Sequence, residues 1–175
     1  ILRISKIESE RVECKPENKD IITLLKEIVN LYIPTAKSRS ISLNFEFVEQ
    51  EIICSIDERL FRDVLNNLIN NAIKYTLKGS ITVKVYRENG KVIIKIIDTG
   101  IGIPKERQKV IWEAFRQVSE GIGRGFEGTG LGLTISKKYI EMMGGDISLK
   151  SEEGVGSEFT IELPMTLEQK LIENE

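Results

Sequence analysis

The apolar residues of the chain follow two different spacings, one typical of helices and the other typical of strands. Apolar side chains three or four residues apart predict a helix that Asp20 caps and that ends before Pro34. The same spacing predicts a long helix after Asp57 and another over residues 131–143. Pro104 is expected to begin a short helix that runs to about residue 115.

Regular alternation of apolar and polar side chains predicts strands between these helices. The Asn89-Gly90 pair is a strong signal for a tight hairpin that joins two of them. Because helices and strands do not alternate regularly along the chain, the pattern predicts an α+β fold, a two-layer sandwich of helices on a sheet. The predicted strands are residues 12–15, 41–47, 52–56, 81–86, 92–97, 146–151 and 157–163.

Composition narrows the class of protein. A length of 175 residues suits one globular domain, and 41% hydrophobic with 30% charged residues is typical of a water-soluble chain. The net charge of −2 gives no bulk attraction to polyanions, so we expect no nucleic-acid partner and no direct membrane contact. Cys14 and Cys54 have no metal-ligand or redox spacing, and we expect them to be reduced thiols in the cytoplasm.

The chain contains no histidine. This excludes a Ser-His or Cys-His catalytic pair, an H-E-x-x-H zinc site and a histidine pH switch. Any proton transfer within the chain would have to use carboxylates, Lys, Tyr or Cys.

The long helix carries an unusual group of asparagines. Asp63, Asn67 and Asn71 are four residues apart and share one face. Asparagine lowers helix stability, so four of them within residues 66–71 call for a reason. One interpretation is a solvated outer face. The other is a pocket in which amide oxygens bind Mg²⁺, with Lys74 and Tyr75 near phosphate groups.

Two glycine-containing segments also suggest a ligand. Residues 98–104 (DTGIGIP) follow an apolar strand, and an ionised Asp98 could accept a hydrogen bond from the exocyclic amine of adenine. The alternative is a simple Asx turn. Residues 128–133 (GTGLGL) open a helix, where free backbone N–H groups and the helix dipole favour phosphate. This segment is not a Walker A loop, because G-x-x-x-x-G-K-[ST] is absent.

These motifs, in this order, resemble the N, G1, F and G2 boxes of the ATP-binding catalytic domain of sensor histidine kinases of two-component systems. The matching segments are residues 67–76 (NLINNAIKYT), 98–103 (DTGIGI), 111–115 (IWEAF) and 128–133 (GTGLGL). Residues 154–160 (GVGSEFT) resemble the closing hairpin of that domain.

The resemblance implies a Bergerat (GHKL) fold, with a mixed sheet of about five strands on three helices and a flexible ATP lid over residues 116–127. It implies ATP and Mg²⁺ as ligands, with Asn71 and Asn67 at the metal, Lys74 and Tyr75 near the phosphates, and Asp98 reading adenine. The other implied nucleotide contacts are Gly100, Gly102, Ile103, Phe115, Gly128, Thr129, Gly130, Leu131, Gly132 and Thr160.

The resemblance also implies a protein histidine kinase that works with other domains. Residues 1–10 resemble the end of a truncated phosphoacceptor helix hairpin, 11–164 the catalytic domain, and 165–175 a tail or linker. The chain begins at Ile1, so we expect a piece of a longer protein that is homodimeric through the hairpin. A membrane anchor in that longer protein, with this domain on the cytoplasmic side, is compatible with this interpretation. The hairpin would supply the acceptor histidine, and a response regulator receiver domain would follow.

Other members of the superfamily offer different activities. In the ATPases a Glu that activates water stands where this chain has Asn67, and an amide does not accept a proton at neutral pH. The kinase interpretation is therefore preferred over an ATPase. The alternatives that stay open are a stand-alone nucleotide-binding switch, such as an anti-sigma serine kinase or a pseudokinase, and a GHKL ATPase.

Overall fold

The structure is a computed structural model that describes residues 12–113 and 132–165. These residues form three helices and seven strands, with one 3₁₀ turn (Val110–Trp112). In chain order the elements are β1 (Glu17–Asp20), α1 (Ile21–Ser38), β2 (Ile41–Phe47), β3 (Ile53–Ile56), α2 (Glu58–Tyr75), β4 (Gly79–Glu88), β5 (Lys91–Asp98), α3 (Gly132–Met142), β6 (Asp146–Glu152) and β7 (Gly156–Pro164).

The predicted two-layer α+β architecture is confirmed. Five strands form a mixed sheet in the order β2-β4-β5-β7-β6, in which β2 and β4 are parallel and the other neighbours antiparallel. Alternate residues of these strands are buried or half-buried, and they form one core with the apolar faces of all three helices. β1 pairs separately with β3. The β4–β5 hairpin turns at Asn89 and Gly90, both with positive φ, as the sequence predicts.

Helix α1 begins as predicted but continues farther. The Asp20 carboxylate accepts hydrogen bonds from the N–H groups of Ile22 and Thr23. The prediction that the helix ends before Pro34 is wrong, because the helix reaches Ser38. Pro34 is exposed, so water can satisfy the carbonyl that loses its partner, while Ala36 beyond it packs in the core.

None of the three helices in the described residues combines the length and the apolar character that a membrane span requires.

Two other local predictions are also wrong. Residues 12–15 are not a strand, since the Lys15 N–H donates to the Asp57 carboxylate at 2.9 Å and pairing with β3 begins at Glu17. Pro104 does not begin an α-helix. The chain instead makes successive i to i+3 turns. In these turns the Arg107 N–H donates to the Pro104 carbonyl, and the Val110 N–H donates to the Arg107 carbonyl.

Asp57 caps α2, and its removal should destabilise the fold. Its buried carboxylate accepts from the N–H groups of Leu60 (3.1 Å) and Lys15 (2.9 Å). Burial alone would raise the pKa of Asp57, but these hydrogen bonds and the nearby Arg59 hold it below its usual range. We expect Asp57→Ala to lower the free energy of unfolding by about 1–2 kcal/mol at neutral pH.

The pH dependence of this effect follows from the sign of the shift. Because the folded-state pKa of Asp57 lies below the unfolded-state value, its stabilisation is present above the unfolded pKa and is lost as the pH falls through the folded pKa. Urea unfolding should therefore show the gap between wild type and Asp57→Ala narrowing between about pH 5 and pH 2. Asp57→Asn, which keeps a cap acceptor, is the control. A gap independent of pH would contradict this assignment.

Candidate functional site

The asparagines of α2 divide into two pairs with different surroundings. The Tyr32 hydroxyl, on α1, donates to Asn66 Oδ1 at 3.1 Å and accepts from Asn70 Nδ2 at 2.9 Å. These two asparagines therefore join α1 to α2 and are not simply solvated. Asn67 and Asn71 lie on the neighbouring face of the helix, and both are half-buried.

Asn67 lies against the beginning of α3. Its Nδ2 donates to the buried Ser136 hydroxyl at 3.0 Å, which leaves the amide oxygen as the acceptor group. A Cβ at Gly132, the first residue of α3, would collide with that oxygen. Glycine at this position therefore lets the N-terminus of α3 approach the polar face of α2.

The loop of residues 98–104 is held against the C-terminal end of α2. The Ile101 N–H donates to the Tyr75 carbonyl oxygen at 3.1 Å. A Cβ at Gly100 would overlap that same carbonyl, so the close approach depends on glycine. On α2 the Lys74 ammonium lies 5.0 Å from the centroid of the Tyr75 ring.

Asp98 is a buried carboxylate at the end of β5, with a side chain that is 8% exposed. Its Oδ1 accepts from the Gly100 N–H at 2.9 Å, so the Asx turn considered above is present and uses one carboxylate oxygen. Among the described residues, no Lys or Arg forms an ion pair with it. Burial raises the pKa of Asp98, against the lowering effect of the N–H groups of Gly100 and Ser157. A buried carboxylate without a cation is a candidate ligand-binding group.

The β6–β7 hairpin supports the other side of the loop. Gly102 has a φ of +69°, which favours glycine, and a Cβ there would overlap the Glu152 carbonyl. The Gly154 N–H donates to the Ile101 carbonyl at 2.7 Å, and the Ile103 N–H donates to the Ser151 hydroxyl at 2.8 Å. The loop is thus fixed between α2 and this hairpin.

Apart from Thr160, the predicted site residues divide into those that the structure describes and those that lie outside the described residues. The contacts above hold two groups against α2. One is Asn67 with Gly132, and the other is Tyr75 with Gly100 and Asp98. Asn71 and Lys74 lie on the same helix, and Gly102 and Ile103 lie on the same loop. Phe115, Gly128, Thr129, Gly130, Leu131 and the expected lid lie outside the described residues, as do residues 1–10 and the tail beyond residue 165.

Thr160 is not brought to Asp98, which corrects the expectation that it lines the adenine site. Its neighbours Phe159 and Ile161 are buried in the core, so Thr160 lies on the opposite face of the sheet, where its hydroxyl is 3.4 Å from Glu158 Oε1. Ser157, which was not predicted from the sequence, is the hydroxyl residue near Asp98. It is buried, directly opposite Asp98 in the β5–β7 register. Because alternate residues of a strand share a face, the sequence could have placed Ser157 on the same face as the apolar Phe159, which is the face of Asp98.

Comparison with known proteins identifies the family of this chain. Residues 56–167 match the family described as histidine kinase-, DNA gyrase B-, and HSP90-like ATPase. The sensor histidine kinase RcsC of Escherichia coli is 38% identical over 94% of this chain, which spans 18% of the length of RcsC.

Solved structures agree as well. The catalytic domain of the histidine kinase ThkA has a TM-score of 0.76 at 29% identity, covering 89% of this chain and 99% of that one. Full-length ShkA in complex with AMPPNP has a TM-score of 0.79 at 29% identity, covering 89% of this chain and 32% of that one. The chain therefore belongs to the histidine kinase-, DNA gyrase B- and HSP90-like ATPase family, in which it corresponds to the ATP-binding catalytic domain of sensor histidine kinases.

Proposed function

We propose that this chain binds Mg²⁺-ATP between α2, α3 and the 98–104 loop, and that it transfers the γ-phosphoryl group to a histidine on a separate phosphoacceptor helix hairpin of the same protein. The observation that carries the proposal is that two unlike polar groups are held against α2 at different points. Buried Asp98 lies at one end, and the Asn67 amide, against the N-terminus of α3, lies at the other. A nucleotide also has two unlike ends, an amine-bearing base and a phosphate chain.

Asp98 would select the base. An ionised carboxylate only accepts hydrogen bonds, so it suits the exocyclic amine of adenine and not the carbonyl of guanine. The Asx turn to Gly100 fixes the orientation of the carboxylate while using one of its oxygens. The glycines of the loop allow a planar base to approach the backbone closely.

The phosphate end fits a magnesium ion. Because Asn67 donates through its nitrogen to Ser136, its oxygen is the group available as a ligand, and Asn71 presents a second amide one turn later. The described residues contain no cluster of three or more acidic, cysteine or histidine side chains that could hold a metal. Mg²⁺ would therefore be shared between amide oxygens, water and phosphate oxygens, where it would offset phosphate charge.

The other groups of this chain would position the phosphate chain and offset its negative charge. Lys74 and Tyr75 would contact phosphate oxygens, and the first N–H groups of α3 would add positive potential. Asn67 does not serve as a general base, because an amide is not basic at neutral pH and its nitrogen is occupied by Ser136. This favours transfer to a partner over hydrolysis.

The parent protein would supply the rest of the reaction. The relatives are much longer than this chain, which fits a homodimer joined by the helix hairpin and a later transfer to the receiver domain of a response regulator. A free buried Cys54 thiol and the use of ATP favour the cytoplasm as the location.

A transfer assay tests the proposal. The chain is mixed with γ-labelled ATP, Mg²⁺ and the separately produced helix hairpin of the parent protein. The hairpin should gain an acid-labile, base-stable label, while the chain itself, which contains no histidine, stays unlabelled. A hairpin whose histidine is replaced is the control. Steady phosphate release without transfer would instead support an ATPase.

A further inference from the structure

Gln108 connects the 98–104 loop to the β6–β7 hairpin through its side chain. It lies in the turns that follow the loop, and its Nε2 donates to the Ile103 carbonyl and to the Ser151 carbonyl, both at 2.9 Å. A side-chain amide has two N–H hydrogens, so both are used. One bond joins Gln108 to the loop, five residues earlier in the chain, and the other joins Gln108 to the distant β6–β7 hairpin.

Ser151 completes this connection from the other side. Its hydroxyl accepts from the Ile103 N–H at 2.8 Å, lies 2.9 Å from the Gly156 carbonyl and 2.8 Å from the Ser157 hydroxyl. The N–H and the C=O of Ile103 are therefore both held by side chains, one by Ser151 and the other by Gln108. The same network reaches Ser157, which lies opposite Asp98.

On this side the loop is also held by the Gly154 N–H, which donates to the Ile101 carbonyl. It borders a cavity of about 470 Å³ whose far wall includes the exposed residues Leu77, Lys78 and Glu153. Two of its residues are glycines, which have no side chain to pack and a large conformational freedom. Hydrogen bonds from Gln108, Ser151 and Gly154 therefore contribute to the position of the loop relative to Asp98.

We propose that Gln108 and Ser151 are positioning residues that hold the 98–104 loop in the conformation in which it recognises adenine. The inference rests on the nucleotide-binding function proposed above and adds residues that neither touch the metal nor carry the Asp98 carboxylate. Because they act at the base end of the site, they set the discrimination between adenine and guanine more than the affinity for phosphate.

The test measures ADP and GDP binding by calorimetry in the whole chain. Gln108→Met keeps the length of the side chain but removes both donors, and Ser151→Ala removes the acceptor of the Ile103 N–H. Each variant should weaken ADP about three- to tenfold, as for one or two lost hydrogen bonds, and leave GDP nearly unchanged. Gln108→Glu should lose more, because its carboxylate would face two carbonyl oxygens. Gln50→Met, at an exposed position, is the matched control and should change neither affinity.

Two further readouts separate positioning from a general loss of structure. Amide exchange of Ile103 should accelerate in Ser151→Ala while that of Leu68 in α2 stays slow. An ADP affinity within about twofold of wild type in both variants, or equal losses of ADP and GDP, would overturn the proposal. A wild-type chain that binds no ADP at all would overturn the proposed function on which it rests, and this result is distinct from the other two.

Discussion

Replacing Asn71 with alanine should reduce Mg²⁺-dependent nucleotide binding by about 10- to 100-fold or abolish it, the range expected when a group in a metal site is lost. Asn71 is the half-buried amide one turn beyond Asn67 on the polar face of α2. Its removal takes away an oxygen ligand that Mg²⁺ would share with the phosphates. Calorimetry of ADP with and without Mg²⁺ measures the effect, which should appear mainly in the presence of the ion.

The control for this variant is Asn70→Ala on the same helix. Asn70 donates to the Tyr32 hydroxyl on α1, away from the proposed site, so its loss should leave Mg²⁺-dependent binding unchanged. Alanine also has a higher helix propensity than asparagine, and neither variant should unfold α2. An unchanged affinity in Asn71→Ala would remove Asn71 from the metal site.

Asp98→Asn should weaken ATP by about 1–3 kcal/mol, the value of one charge-assisted hydrogen bond. The new side chain can still accept from the Gly100 N–H, so the Asx turn is retained and the loss reports on the ligand. GTP, which presents a carbonyl in place of the amine, should not weaken in parallel. Equal losses for ATP and GTP would show that Asp98 is not the adenine reader.

The same variant should not lose stability. Burial raises the folded-state pKa of Asp98 above its unfolded value, so ionising it costs stability as the pH rises through the folded pKa. Asp98→Asn removes that cost and should unfold at an equal or higher urea concentration than wild type at neutral pH. Asp57→Asn changes the other buried carboxylate of the described residues and should leave nucleotide affinity unaffected.

Several parts of the fold were predictable because local rules determine them. Asp20 and Asp57 cap helices through hydrogen bonds that span two or three residues. Asn89-Gly90 specifies its hairpin through the positive φ of both residues. The Pro34 and Pro104 predictions failed for the opposite reason. Whether a helix continues through proline, or forms after it, depends on burial and on long-range hydrogen bonds that no local rule contains.

The candidate site likewise combines features that local sequence rules predict with features that depend on long-range contacts. The roles proposed for Asn67, Asn71 and Asp98 rest on residue type, spacing and the family resemblance. The separation of the four asparagines does not, because it depends on Tyr32 and Ser136, which lie 34 and 69 residues from their partners. The misplacement of Thr160 is of another kind. Strand alternation excludes it once the register of β7 is known, and the same register brings Ser157 to Asp98.

By itself the sequence determined which chemistry this chain carries. It placed amides, a carboxylate and glycines in family order, and its lack of histidine means that the proposed phosphoryl acceptor must lie elsewhere. The tertiary structure alone decided how those groups are held, with the Asn67 oxygen beside Gly132 and Ile103 fixed by Gln108 and Ser151. The physical reason is that side-chain spacing sets the face on which a residue lies, whereas its hydrogen-bond partner depends on which distant segment packs there.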